Sequence, residues 1–567
     1  MAPSGFPSLF RAATLALVAT AYGKTTRGIP WKPCPADINA IAALDVECGT
    51  LAVPLDYTAA NSTETLELSL LRVPAAKKQG KHSHSILFNF GGPGFESRFT
   101  LAQLADTMQA VTGGEHDLVA WDPRGTAETL TFSCFANSTA RAQLSAGFTL
   151  GNASDVARGQ LWAGGKNYAD ACAEYPEAQE RGPLIGTPFT ARDAMQIVNA
   201  VEDDGLLRYW GLSYGTDLGV MLAALFPERV EKLIIDGVFT PTQYFYDRTS
   251  SEGFASADDT FSEFFRQCVS TPDVCGLARS HPNATAGQLE SAAYDLIEEI
   301  KYRPLAHDGL VLGYLELTSA IRFALYTPYT WLALDRILDA FFATPRNETL
   351  AGAALADYLA ASLAGDAPAD DAPIGIECVD QGPRSDSFDV INAALDRAQS
   401  VSRLLGDVLA GGVTTCAQWK LEPRERYTAG FAGVKPRKPL FVIGNTYDSA
   451  TSIKSARNIT ETIEGSVLLE HGGFGHTSIQ QPSLCTARAI QNFFRNGTLP
   501  ESGTLCDTAT GPFQFTAEGP TWQDLYAQLG FEPPSAGNGT KAARAERRGG
   551  AEMAMLKNMG RRLGGAF

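Results

Sequence analysis

The chain of 567 residues is long enough for one large domain with an insertion, or for two domains. Hydrophobic residues at 44% and charged residues at 19% describe a globular protein with a sizeable core. A formal net charge of −17 argues against nucleic acid or an anionic membrane as the partner and fits a soluble acidic surface.

The N-terminus reads as a secretory signal over residues 1–21. Leu9 to Thr20 is largely apolar, carries Arg11, and reaches the small-x-small pattern Ala19-Thr20-Ala21. That run is too short to span a bilayer, and no later stretch reaches 18 uncharged apolar residues. Ten cysteines without Cys-x-x-Cys or His-rich spacing favour disulfides over metal. They are Cys34, Cys48, Cys134, Cys172, Cys268, Cys275, Cys378, Cys416, Cys485 and Cys506. Eight Asn-x-Ser/Thr sequons stand at Asn61, Asn137, Asn152, Asn283, Asn347, Asn458, Asn496 and Asn538, as expected of a glycosylated surface. A secreted, extracellular protein is expected, with no membrane contact after signal removal.

Glu67 to Val73 has strand character, and Ser85 to Phe90 reads as a buried strand running into Gly91-Gly92-Pro93-Gly94. This glycine loop lacks the Gly-Lys-Ser/Thr ending of a phosphate-binding loop and the spacing of a dinucleotide site. A loop of this kind can instead offer a backbone N–H to a carbonyl oxygen that becomes negative. His116 to Trp121 is another strand, leaving into Asp122-Pro123-Arg124-Gly125, where Asp122 and Arg124 are expected to pair and fix the turn. Residues 126–186 read as loop-rich, and Thr190 to Glu202 as an amphipathic helix.

Leu206 to Trp210 is a short buried strand. Gly211-Leu212-Ser213-Tyr214-Gly215 follows, and then an apolar helical run from Leu218 to Phe226. Strand, Gly-x-Ser-x-Gly turn and helix is the order that exposes a nucleophilic serine on a sharp bend. Leu233 to Gly237 closes a further strand. Strands alternating with helices predict an open, mostly parallel α/β sheet.

From Thr240 to about Tyr427 the pattern turns helical, over Phe254 to Cys268, Gln288 to Ile300, Leu315 to Tyr326, Trp331 to Phe342 and Leu350 to Leu363, with no sheet-like alternation. Ala364 to Pro373 is a break rich in small, polar and proline residues. Phe323, Tyr326, Tyr329 and Trp331 either line a pocket or pack between helices. The sheet resumes at Lys438 to Gly444, leading to Asp448, with a helix over Ser452 to Ile463. Ser466 to Glu470 is the last strand, feeding His471-Gly472-Gly473-Phe474-Gly475-His476. The expected organisation is a signal over 1–21, a core over 30–239, a helical cap over 240–427, the rest of the core over 428–532, and a disordered tail over 533–567.

A serine hydroxyl needs a base to take its proton, and the imidazole needs a carboxylate to fix its tautomer. Ser213, Asp448 and His476 stand in the order serine, acid, histidine, each in a loop after a predicted strand. His476 is preferred to His471 because the glycine turn before it can swing the ring over the site. Asp448 is preferred to Asp236, which also ends a strand. The oxyanion donors are the N–H of Tyr214, next after the nucleophile, and that of Gly92, since Pro93 has none. Neither a metal nor a cofactor is expected.

Four motifs together resemble the tripeptidyl and prolyl aminopeptidase branch of the α/β-hydrolases. They are Phe90-Gly91-Gly92-Pro93-Gly94, Trp121-Asp122-Pro123-Arg124-Gly125-Thr126, Gly211-Leu212-Ser213-Tyr214-Gly215-Thr216 and Gly444-Asn445-Thr446-Tyr447-Asp448. The segment Ala223 to Val230, running on to Asp236-Gly237, is similar too, and His476 followed by Cys485 and Cys506 resembles the C-terminal extension of secreted members. The resemblance spans roughly Cys34 to Cys506. It implies an α/β-hydrolase fold with a helical cap and hydrolysis at a peptide N-terminus through an acyl-serine. It also implies cap carboxylates that receive the free amine, matched here by Glu377 and Asp380. The chain departs from the pattern at Phe95-Glu96-Ser97, at Ala127 and at Asp217. Joining neighbouring cysteines gives Cys34–Cys48, Cys134–Cys172, Cys268–Cys275, Cys378–Cys416 and Cys485–Cys506, the last in keeping with that extension. A monomeric exopeptidase is expected, with an esterase or amidase for small molecules as the alternative, because one triad serves both chemistries.

Overall fold

The computed structural model describes residues 28–77, 83–145, 147–363, 371–514 and 521–533. The expected signal, the Asn538 sequon and all but the first residue of the expected tail lie outside these. Twelve strands form in the described residues. They are β1 (Lys32–Pro33), β2 (Glu47–Pro54), β3 (Thr65–Val73), β4 (Ser85–Asn89), β5 (Asp117–Trp121), β6 (Leu207–Leu212), β7 (Val230–Asp236), β8 (Leu305–His307), β9 (Leu310–Leu312), β10 (Phe441–Tyr447), β11 (Val467–Phe474) and β12 (Leu505–Asp507). Ten of them make one sheet in the order β1-β2-β3-β5-β4-β6-β7-β10-β11-β12. The β1–β2, β2–β3 and β3–β5 pairs are antiparallel, and every pair from β5–β4 to β11–β12 is parallel. The chain therefore has the α/β-hydrolase fold, a largely parallel sheet whose order reverses about β4.

Strands β4 and β6 are buried at every position, which explains their unbroken apolar runs. Leu87, Val119, Tyr209, Leu233 and Val442 face one layer with the helices Thr187–Val201, Tyr214–Leu225 and Ile453–Thr462. Ile86, Phe88, Leu118, Trp210 and Phe441 face the other, with Met108, Ile490 and Phe493. Fully burying side chains of this size stabilises by about 1.5–3 kcal/mol each.

A third apolar cluster is built mainly of helices and meets the sheet at Phe474 of β11. Phe261, Phe264 and Phe265 pack with Ile297, Phe323, Trp331 and Leu338 from the helices Ala257–Ser270, Ala286–Tyr302, Tyr314–Tyr326 and Trp331–Phe342. Phe323 and Trp331 are thus helix-packing core. This segment also holds the antiparallel pair β8–β9, where no strands are expected from the sequence. Three residues a side are too few to display an alternation.

Residues 126–186, read as loop, contain the long helix Ala157–Glu174. Its glycines hide the period, and one of them is needed by packing. A Cβ on Gly165 would lie 2.8 Å from the backbone of Thr414, so the helix Ala410–Ala417 crosses it at close range. All five neighbouring cysteine pairs form disulfides. They point to an oxidising, extracytoplasmic compartment. No helix among the described residues is long and apolar enough to cross a membrane.

Candidate active site

Strand β6 ends at Leu212 and the helix Tyr214–Leu225 begins two residues later, so the whole reversal falls on Ser213. Ser213 has φ 58° and ψ −126°, a conformation that costs a non-glycine residue about 1–3 kcal/mol and persists only where neighbours enforce it. Its N–H is held by the carbonyl of Asp236 at 3.0 Å. The motif's glycines answer to close backbone: a Cβ on Gly211 would collide with the carbonyl of Gly215, and one on Gly215 with the carbonyl of Asn89.

The histidine loop sits beside this turn. A Cβ on Gly237, the residue after Asp236, would lie 3.3 Å from Cε1 of His476 and 3.1 Å from Oγ1 of Thr451. His476 Nδ1 meets both carboxylate oxygens of Asp448, at 3.0 and 3.2 Å. Asp448 is fully buried and also accepts from the N–H groups of Ala450, Thr451 and Thr477. Burial alone would raise its carboxyl, but the charge and hydrogen bond of His476, with the donors of Thr451, hold it below its ordinary value.

Thr451 is the member of this group that the sequence did not flag. Its hydroxyl lies 2.6 Å from Asp448 Oδ2 and 2.9 Å from His476 Nδ1. Having one proton and giving it to the carboxylate, the hydroxyl can only accept from the ring, so Nδ1 carries the hydrogen. The other ring nitrogen, Nε2, keeps its lone pair. It is buried and makes no hydrogen bond among the described residues. Catalytic hydrogen bonds are often long until substrate is seated.

Two histidine expectations change. Strand β11 runs to Phe474, and Gly472 pairs with Asp507 of β12, so Gly472 and Gly473 belong to the sheet rather than to a flexible turn. His476 is held, not free to swing. His471 lies within β11, fully buried, with Nδ1 on the Thr486 hydroxyl and with burial pulling its pKa down to about 3. The rival acid Asp236 receives the N–H and hydroxyl of Ser478 at 2.9 and 2.6 Å, and burial pushes its carboxyl up to about 7.

The glycine loop after β4 lies directly against Ser213. A Cβ on Gly91 would sit 2.7 Å from that of Ser213 and 3.2 Å from the nitrogen of Tyr214. Gly91 and Gly92 have φ 95° and 112°, values that favour glycine. Asn89 accepts the Gly91 N–H through Oδ1 at 3.0 Å. Asp122 and Arg124 are structural but do not pair with each other. Asp122 binds Arg98 (Nε–Oδ2 2.5 Å), in the helix that follows the glycine loop. Arg124, fully buried, forms a two-pronged pair with Asp193 at 2.6 and 2.9 Å and lies over the rings of Tyr57 and Phe189.

The helix Ala372–Asp380 carries Glu377 and Asp380 and is seated on the glycine loop, where a Cβ on Gly94 would lie 2.8 Å from the nitrogen of Pro373. Asp380 accepts from the N–H and hydroxyl of Thr187 at 2.8 and 2.5 Å and from Tyr244 at 3.3 Å. Burial raises its carboxyl to about 7 against these hydrogen bonds. Thr187 also meets the hydroxyl of Tyr214 at 2.5 Å, which links Asp380 to the residue after Ser213. Glu377 is half-buried and accepts from Gln381 at 2.8 Å. Cys378 ties the same helix to Cys416.

A strained serine at a strand-to-helix turn, with a buried carboxylate–imidazole pair beside it on this sheet, defines a serine hydrolase of the α/β-hydrolase fold. Residues 402–506 match the family described as TAP-like protein. Over this segment the chain is similar to TAP-like α/β-hydrolases. It is 28% identical over 507 residues to the serine protease Hip1 of Mycobacterium tuberculosis, covering 85% of this chain and 92% of that one. It is 25% identical over 495 residues to the tripeptidyl aminopeptidase of Streptomyces lividans, covering 84% and 86%. It is also 26% identical over 506 residues to carboxylesterase B of Mycobacterium tuberculosis, covering 84% and 89%.

Proposed function

We propose that the protein is a secreted serine exopeptidase that releases residues or short peptides from free N-termini. Ser213 Oγ attacks the scissile carbonyl carbon while Nε2 of His476 takes its proton. Asp448 and Thr451 stabilise the imidazolium through Nδ1. The N–H groups of Gly92 and Tyr214 receive the oxyanion, each such donor being worth about 10²–10³ in rate. The C–N bond then breaks, the imidazolium returns the proton to the leaving amine, and an acyl-serine remains. Water, deprotonated by His476, hydrolyses that ester and restores Ser213. A cap over residues 240–427 supplies the substrate-facing wall.

The exopeptidase reading is supported by the seating of the acid-bearing helix Ala372–Asp380 against the glycine loop and by the contacts that run from Asp380 through Thr187 to Tyr214. A carboxylate there would anchor an ammonium at a fixed distance from the scissile bond. Of the two, Asp380 is buried and Glu377 half-buried, so Glu377 is assigned the larger share of amine binding. Glu377→Gln is expected to raise KM for a free-amine tripeptide anilide by about 10-fold and to leave a p-nitrophenyl ester unaffected, since one charge-assisted bond is worth about 1.5–3 kcal/mol. Equal hydrolysis of N-acetylated and free peptides by the native enzyme would remove the exopeptidase reading. The likeness to a carboxylesterase supports the second reading, an esterase or amidase for small molecules, which predicts ester turnover without peptide cleavage.

Export is supported by the five disulfides and by the sequons. Asn61, Asn137, Asn283, Asn347, Asn458 and Asn496 are exposed, and Asn152 is half-buried. An intact-mass spectrum of protein from the culture medium should show a chain lacking about its first 21 residues and carrying N-glycans. An unglycosylated chain that retains Met1 would overturn this.

A further inference from the structure

The backbone just past His476 is strained. Thr477 has φ 73° and ψ 157°, a region essentially reserved for glycine and costly for a β-branched residue. Such a conformation survives only when its surroundings over-determine it, so the contacts around the loop reveal what is being held. Asn445 of β10 donates to the carbonyls on both sides of the histidine, Gly475 and Thr477, each at 2.8 Å. Asp448 takes the Thr477 N–H, and Asp236 takes Ser478. All three belong to the sheet or to loops leaving it.

The fourth contact comes from elsewhere. The helix Tyr314–Tyr326 ends against the loop, and the carbonyl of Tyr326 accepts the N–H of His476 itself at 2.8 Å. Gly475, with φ 88°, is pressed so closely to this helix end that a Cβ would lie 2.7 Å from the same carbonyl. The ring of Tyr326 is buried and meets the imidazole edge-to-face, with centroids 4.8 Å apart. It also packs on Ala450, whose N–H is one of the donors to Asp448. Asp448 and Thr451 hold one edge of the imidazole but do not by themselves fix its tilt about that edge. The Tyr326 ring stands against the imidazole at an interplanar angle of 61° and so limits that tilt.

We infer that Tyr326 is a positioning residue for the base, its ring fixing the orientation in which Nε2 of His476 addresses Ser213. This rests on the reading of His476 as the base. The segment between β7 and β10 thereby takes part in catalysis through the histidine loop as well as through any contact with substrate. A misplacement of about 1 Å in a reacting group can cost about 10²-fold in rate.

The test uses the full-length enzyme with a p-nitrophenyl ester and a free-amine tripeptide anilide, with kcat taken per site titrated by an acylation burst. Tyr326→Phe, which keeps the ring, should stay within about twofold of the native enzyme, whereas Tyr326→Leu should lose about 10- to 100-fold in kcat on both substrates with KM within about threefold. Tyr326→Met stands in should the leucine variant yield no titratable sites. A loss confined to KM, unchanged kcat in the leucine or methionine variant, or failure of phenylalanine to preserve activity would overturn the inference. His476→Gln separates the two levels. If it retains turnover, the base assignment itself fails; if it is inactive while Tyr326→Leu is normal, only the role of Tyr326 fails.

Discussion

Ser213→Ala is expected to lower kcat by about 10⁴–10⁶-fold while the folded chain keeps its melting temperature within a few degrees. The effect is large because the attacking atom is lost, and because the fold commits so much to that one oxygen. The reversal from β6 into the elbow helix falls on Ser213 alone, at φ 58°, between two glycines that tolerate no Cβ. Alanine meets the same backbone strain as serine, so stability should change by little more than the hydroxyl's own hydrogen bonding, about 0.5–1.5 kcal/mol. Any activity that remains reports the oxyanion donors and substrate binding, which alone can give about 10³–10⁴ over water. Steady-state turnover of an activated ester measures all of this. Native-like turnover in the variant would place the reaction on a different residue.

Asp448→Asn should cost about 10⁴-fold in kcat, with KM little changed. The carboxylate accepts from Ala450, Thr451 and Thr477 through the backbone, from the Thr451 hydroxyl, and from His476 Nδ1. An asparagine can keep the two backbone donors on Oδ1. Its NH₂ group would then face the Thr477 N–H, the Thr451 hydroxyl and Nδ1. The hydroxyl must turn round to accept, Nδ1 must give up its hydrogen, and the lone pair moves to the wrong nitrogen. A pH signature accompanies the loss. The folded Asp448 carboxyl lies below its ordinary value, so it contributes stability that is fully present above the unfolded value near 3.9 and disappears as pH falls through the lower folded value. The asparagine variant has no such group, and its melting temperature should fall less steeply than the native enzyme's over that acid interval. Parallel acid slopes would mean that the pair stores no pH-dependent stability.

The features legible in the sequence were those whose chemistry is local. Gly211, Ser213 and Gly215 announce a bend because each does its work within five residues, and Asp448 and His476 could be ranked because each follows a buried strand. The long helices between β7 and β10 are visible through their apolar period. What escaped was set by distant partners. Nothing near Thr451 says that its hydroxyl will share a carboxylate with a ring 25 residues on, and nothing in Tyr326 says that its helix will end against the histidine loop. Asp122 and Arg124 looked like a pair because they are close in sequence, while their partners Arg98 and Asp193 come from separate helices. Gly472 and Gly473 read as a turn because strand β12, which pairs beside them, is only three residues long. The helix Ala157–Glu174 was missed because Gly165 serves a crossing helix rather than its own period.

Asp236 does two things at once: its carbonyl holds the N–H of Ser213, and its side chain holds Ser478, two residues past His476. Thermal breathing of the sheet that displaces the end of β7 therefore carries both loops in the same direction. Their separation is the quantity that proton transfer senses, and to first order such a shared displacement cancels from it. Asp236 thus gives the proposed nucleophile and the proposed base a common mechanical reference.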